Sequence, residues 1–283
     1  MSVKKASLVA CSDPLSGERV QDIHMLKKRL LEEGLEVEMH CSFFDGSQAD
    51  SAHKARLLTE CFRDPDMNYI FDVSGGDLAN LILPFLDYDV IRNSRAVFFG
   101  FSDLTTVINA IIAKTGRSAV NYQVRNILSQ ETDEQIRYFR DHILPGRILP
   151  EDLEPVFIRG SSMSGRVLGG NVRCFLKLAG TEYRPDMKGA ILLLESFGGG
   201  VFQMMTALEQ YRQVGIFDQI RGVILGTFTK MEQEQLTPTI EEMVLDMVPE
   251  KVPVAITRYI GHYRNARAIV LGRECTFNAG TWR

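Results

Sequence analysis

The chain has 283 residues, 45% hydrophobic and 24% charged, a balance that excludes a disordered chain and allows either two domains or one large α/β unit. Its 32 basic and 36 acidic residues leave a formal charge of −4, without the basic excess that neutralises phosphates along a nucleic acid. No apolar run approaches the roughly 18 to 20 residues that span a bilayer, so neither a nucleic-acid partner nor a membrane span is expected.

At the amino end Lys4 and Lys5 precede Leu8-Val9-Ala10-Cys11. That apolar stretch is shorter than the about 7 to 15 residues of a secretory signal and is closed by Ser12, Asp13 and Pro14, so Ser7 to Cys11 is expected to be a first strand of a cytoplasmic protein. Val20, Ile23, Leu26, Leu30 and Leu31 then recur at helical spacing, and Gly34 stands where a left-handed C′ residue would end the helix. Leu35 to His40 reads as a strand, Ser51 to Arg63 as a helix, and Tyr69 to Val73 as a strand running into Ser74-Gly75-Gly76. This β-α-β-α-β order calls for a parallel sheet covered by helices, with ligands gathering at the carboxyl ends of the strands.

A fourth strand, Ala96 to Phe99, leads directly through Gly100-Phe101-Ser102-Asp103 into a helix carrying Leu104, Val107, Ile108, Ile111 and Ile112. Residues Pro145 to Ser164, rich in Pro, Gly and small polar side chains, read as a connection. Two domains are therefore expected, an α/β unit over 1–150 and a mixed unit over 151–283. The second has short apolar strands at Val156 to Arg159, Ile191 to Leu194, Gly222 to Leu225, Val254 to Thr257 and Ala268 to Leu271. Its helical patterns are Val172 to Leu178, Phe202 to Tyr211 and Ile240 to Met247.

A serine between strand and helix can have its hydroxyl held out on a tight turn. Ser102 occupies such a position, although Ser102 or Asp103 could equally be a helix cap. The G-x-S-x-G elbow is incomplete, with Leu104 in place of the second glycine. A serine nucleophile needs a base. Of His24, His40, His53, His142 and His262, only His262 follows a glycine in a loop after an apolar strand; as a lone loop histidine, its default reading is a structural or simply exposed residue. Glu195 ends the run Ala190 to Leu194, a strand apolar enough to be buried on both faces, and is either a surface residue at a strand end or a carboxylate at the mouth of the sheet. Ser74-Gly75-Gly76-Asp77 is either a plain turn or a place where backbone N–H groups approach a ligand. No P-loop or complete dinucleotide motif is present, so no nucleotide cofactor is expected. Cys11, Cys41, Cys61, Cys174 and Cys275 lack metal-ligand spacing and read as reduced, mostly buried thiols.

These motifs together resemble the LD-carboxypeptidase family, which includes the microcin C immunity peptidases. The resemblance rests on Asp64-Pro65 with Ile70, Gly75-Gly76, Leu83-Pro84, Leu86-Asp87, Gly100 to Thr105, Gly169-Gly170-Asn171, Leu192 to Glu195, Gly222 to Phe228, and Gly261-His262. It implies an α/β amino-terminal domain and a β-rich mixed carboxy-terminal domain with the site in the cleft between them, a homodimer, and no metal or other cofactor. It further implies a Ser102, Glu195, His262 triad, an oxyanion hole from the backbone N–H groups of Gly76 and Asp103, and a substrate pocket formed by Gly75, Asp77, Gly170 and Asn171. The expected substrate is a small peptide or a peptidyl nucleotide. Gly-Gly-Asp-x-x-Asn at 75–80 resembles the microcin-immunity branch more than the murein branch, whose Arg-Gly-Gly-Tyr-Gly motif has Ser74 and Asp77 in two of its places here. Ser196 also departs from the acidic residue that often follows the glutamate. An α/β-hydrolase esterase and a non-catalytic protein that kept the cleft are the competing readings.

Overall fold

The computed structural model describes residues 3–15, 17–40, 51–128 and 132–280; Cys41 and Trp282 lie outside them. The strands are β1 (Lys4–Val9), β2 (Leu35–Met39), β3 (Met67–Asp72), β4 (Val97–Gly100), β5 (Ala119–Asn121), β6 (Val156–Arg159), β7 (Ser162–Asn171), β8 (Ile191–Ser196), β9 (Gly222–Phe228), β10 (Val254–Ile256), β11 (Ile269–Leu271) and β12 (Glu274–Asn278). The helices are α1 (Glu18–Glu32), α2 (Ser51–Arg63), α3 (Tyr88–Asn93), α4 (Thr105–Thr115), α5 (Thr132–Tyr138), α6 (Val172–Leu176), α7 (Val201–Gln213), α8 (Thr229–Gln233) and α9 (Ile240–Met247). Gly34, just past α1, takes the left-handed conformation at φ 83°.

Two six-stranded sheets result, in the orders β11-β5-β4-β3-β1-β2 and β12-β7-β8-β9-β10-β6. Strands β1 to β5 pair in parallel, as their helical crossovers require. The rear sheet is mixed: β7 to β10 are parallel, and β12 and β6 run antiparallel at its edges.

Two expectations are corrected. The segment at 268–271 does not join the rear sheet: β11 returns to the front sheet and pairs antiparallel with β5, Val270 opposite Val120. It covers an edge that would otherwise expose unpaired backbone groups. The supposed connection at 145–164 contains, besides the expected strand at Val156–Arg159, which is β6, the start of β7. Strand β7 is rich in Ser and Gly, and its glycines serve close backbone approach. A Cβ on Gly165 would lie 2.4 Å from the Gly189 carbonyl oxygen, and one on Gly169 2.3 Å from that of Leu193.

Helix α4 ties the halves together. Its first eight residues, Thr105 to Ile112, are all buried, and Val107, Ile108 and Ile111 share one apolar core with Leu168, Leu192 and Leu225 of the rear sheet. Each such side chain contributes about 1.5–3 kcal/mol on full burial. Asn109 fixes the register, its Nδ2 donating to the Gly169 carbonyl at 2.8 Å and its Oδ1 accepting from Gly169 N–H at 3.2 Å. A second core, with Leu8, Leu26, Phe71, Phe99 and Phe139, lies under α1 and the segment after α5. The strand–helix junction that starts α4 is thus anchored from both sides.

Candidate active site

At the end of β4 the chain reverses sharply. Phe101 is extended, Ser102 takes φ 58°, and Ser102–Leu104 forms one 3-10 turn before α4. A non-glycine residue with positive φ is strained, and such strain persists only where surrounding structure enforces it. The glycine this turn needs is Gly100, where a Cβ would sit 2.7 Å from Leu104 Cβ. That explains Leu104 in place of an elbow glycine: its side chain packs back into the core with no exposure. Among the described residues neither Ser102 nor Asp103 caps the helix with its side chain.

Ser102 Oγ instead lies 3.2 Å from His262 Nε2. His262 Nδ1 lies 2.8 Å from Glu195 Oε2. This second contact is at ion-pair distance but poorly angled for a hydrogen bond, so His262 Nδ1 and both Glu195 carboxylate oxygens have no hydrogen-bond partner among the described residues. Glu195 is only 1% exposed. It sits near the end of β8 opposite a bulge in β9, where the register passes from Leu194↔Leu225 to Ser196↔Phe228. Bulges recur next to active sites because they re-aim side chains.

The loop bearing His262 is seated by its glycine. Gly261 has φ 136°, and a Cβ there would fall 1.9 Å from Thr227 Oγ1, in the bulge. The imidazole lies between two aromatic rings, Phe101 at 4.5 Å and Phe197 at 5.0 Å between centroids. His40 lies against Cys61 and His142 against Asp152.

The loop after β3 packs against the loop after β1. A Cβ on Gly76, at φ 134°, would collide with the Asp13 carboxylate, which accepts the Asp77 N–H at 2.9 Å. Ser74 is turned inward: its Oγ donates to Asp72 Oδ1 at 2.5 Å and accepts the Ser12 N–H at 2.9 Å. Buried there, Ser74 does not reach a ligand. Asp103 is fully buried; Ser12 Oγ and the Ala79 N–H donate to its Oδ2 at 2.7 and 2.8 Å, and Lys177 Nζ meets its Oδ1 at 2.7 Å. Asp77 is exposed and faces Arg173 and Lys177.

Gly170 and Asn171 make inward contacts. Gly170 packs on Thr105, where a Cβ would be 2.6 Å from Oγ1, and the Asn171 N–H donates to that same oxygen at 3.0 Å. Asn171 Oδ1 caps α6 by accepting the Cys174 N–H. These residues therefore dock α4, and with it the serine turn, onto the rear sheet. Sequence reading missed Phe197, Thr227 and Lys177, none of which stands in a motif of its own. Only the position of Phe197, two residues after Glu195, hinted at the site.

Comparison with known proteins identifies the family and the fold. Residues 7–122 match the model of the LD-carboxypeptidase N-terminal domain and residues 164–277 that of the C-terminal domain. A Bacillus subtilis relative named Probable murein peptide carboxypeptidase is 22% identical over 235 residues, covering 78% of this chain and 72% of that protein. The Microcin C7 self-immunity protein MccF of Escherichia coli is 25% identical over 206 residues, covering 61% of this chain and 60% of that protein. The structure of MccF in complex with glutamyl sulfamoyl guanosine shares the fold at a TM-score of 0.84 and 18% identity, covering 98% of this chain and 94% of that one. The chain belongs to the LD-carboxypeptidase family of peptidases.

Proposed function

We propose that the protein is a serine-type carboxypeptidase or amidase in which Ser102 is the nucleophile, His262 the general base and acid, and Glu195 the group that orients the imidazole. The observation that carries this reading is the relay itself, Ser102 Oγ to His262 Nε2 at 3.2 Å and His262 Nδ1 to Glu195 Oε2 at 2.8 Å, on a serine held at positive φ. In the first half-reaction His262 takes the Ser102 proton as Oγ attacks the scissile carbonyl, then returns it to the departing amine. Water repeats the sequence on the acyl-enzyme. The backbone N–H groups of Gly76 and Asp103 are assigned to the oxyanion, each such donor being worth about 10²- to 10³-fold in rate.

The substrate is a small peptide-like molecule, either an L,D-linked murein tetrapeptide or a microcin-type peptidyl nucleotide. The inward-turned Ser74 stands at the loop position where the murein branch carries an arginine, so any recognition of a substrate carboxylate must come from elsewhere in the chain. A cytoplasmic homodimer belongs to the same proposal; light scattering on the eluted protein tests the dimer.

A fluorophosphonate should label the native chain at Ser102, and Ser102→Ala should lose both labelling and turnover of these substrates while unfolding normally. Undiminished hydrolysis by Ser102→Ala would overturn the assignment.

A further inference from the structure

His262 also lines a cavity of about 470 Å³ together with Phe101, Gln123, Arg125, Asp22 and Arg264. Arg125 is half-buried in its wall. Its Nε donates to Gln123 Oε1 at 3.3 Å, and no carboxylate pairs with it among the described residues. Asp22 shares the cavity but lies beyond ion-pair distance, and Arg264 likewise has no acidic partner among the described residues. Two guanidinium groups thus face one carboxylate in a single chamber.

A partly desolvated cation without a counter-charge is costly. Burial accordingly lowers the Arg125 pKa, the neighbouring Arg19 adds to that, and Asp22 and Asp72 oppose it. A guanidinium steadied at Nε has its remaining N–H groups arranged as a fork that matches a carboxylate. The wall that holds Arg125 also holds Phe101, which precedes Ser102, and His262 itself. An anion seated on Arg125 therefore shares one chamber with the imidazole whose Nε2 lies 3.2 Å from Ser102 Oγ.

We propose that this cavity binds the free terminal carboxylate of the substrate, with Arg125 as the contact that sets specificity and Arg264 reinforcing the charge. The proposal rests on the serine-carboxypeptidase reading of the site. A carboxylate is favoured over a phosphate because the residue released by a carboxypeptidase carries one beside the scissile amide.

Binding to the inert Ser102→Ala protein tests it without turnover. Calorimetry would compare an L,D-linked tetrapeptide ending in D-alanine with the same peptide as its terminal carboxamide. The acid should bind about 10- to 100-fold more tightly, the range of a charge-assisted hydrogen-bonded contact. Adding Arg125→Gln should remove that preference while leaving the affinity for the amide unchanged. Equal binding of acid and amide, which needs no arginine variant to detect, would overturn the proposal, as would an acid preference that survives Arg125→Gln. Fluorophosphonate labelling separates this from the catalytic reading: a labelled serine with indifferent binding removes the carboxylate pocket alone, and acid preference in a chain that does not label keeps the pocket while removing the serine mechanism.

Discussion

Lys177 Nζ lies 2.7 Å from Asp103 Oδ1 and donates to the Asp77 carbonyl at 2.9 Å. One ammonium from just past α6, on the rear half of the chain, therefore joins the residue that follows Ser102 to the loop that carries Gly76. Burial works against the charge on Lys177, yet its pKa is raised, because the hydrogen bond and field of Asp103, with the fields of Cys174 and Asp77, together outweigh burial.

Lys177→Met would leave the fully buried Asp103 carboxylate without its cation. Breaking one side of such a pair costs about 3 kcal/mol or more. The variant should unfold at lower urea, and its fluorophosphonate labelling should slow further than the unfolded fraction explains, because both assigned oxyanion loops lose their tie. Lys177→Arg should recover part of both. A variant that labels at the native rate would show that the clip is structural only.

Ser102 at φ 58° stores strain of about 1–3 kcal/mol. Ser102→Gly should therefore be more stable than Ser102→Ala by about 1 kcal/mol, against the usual advantage of alanine over glycine. Both should be inactive. Denaturant midpoints decide it, and equal stabilities would mean the turn is not strained in solution.

Much of this arrangement was legible in the residues. The spacing of apolar positions located α2 and α9 to their end residues, and the unbroken run at 190–194 marked β8 as buried on both faces. Strand pairing was less legible, because it depends on partners far along the chain. Strand β11 has three residues, and nothing local in Ile269–Leu271 says that it crosses back to β5. Strand β7 lacks the β-branched pattern and is defined by glycines that admit neighbouring carbonyls. In the site, the serine and histidine carried local signals, a tight turn and a paired glycine. Lys177 carried none, since an exposed-looking lysine becomes a clip only once Asp103 is buried beside it.

Gly261→Ala would place a Cβ 1.9 Å from Thr227 Oγ1 and push the His262 loop outward. A displacement of that order at a catalytic group costs about 10²-fold in rate. Thr227→Ala removes the obstructing oxygen, so the double variant should recover activity relative to Gly261→Ala alone, a coupling measured by a double-mutant cycle. Strictly additive losses would place the cause in backbone strain at φ 136°.

His40 lies against Cys61 Sγ at 3.0 Å. Its pKa is lowered from 6.5, chiefly by burial, with Glu38 opposing and Lys5 assisting. The unfolded chain therefore takes up a proton near pH 6.5 that the folded chain accepts only at lower pH. Stability from this group is present above 6.5 and is lost as the pH falls through the window between the two values. Unfolding free energies should decline across that window in the native protein and decline less in His40→Gln. An NMR titration of His40 with its midpoint at or above 6.5 would contradict this.

Glu195 exchanges stability for its place beside the imidazole. Its carboxylate is 1% exposed, neither oxygen has a hydrogen-bond partner among the described residues, and its one close polar contact is His262 Nδ1 at 2.8 Å. A buried charge so poorly supported raises the free energy of the fold, and in the proposed mechanism it becomes compensated only while His262 carries the proton taken from Ser102. Glu195→Gln keeps the shape and removes the charge. Turnover should fall by about 10³- to 10⁴-fold, the scale of losing a carboxylate that orients the base, while the unfolding free energy rises by about 1 kcal/mol or more. Measuring both on one preparation is decisive. A variant that is slower and also less stable would mean that donors in solution, bound water at Thr227 and Thr229 among them, already satisfy the native carboxylate.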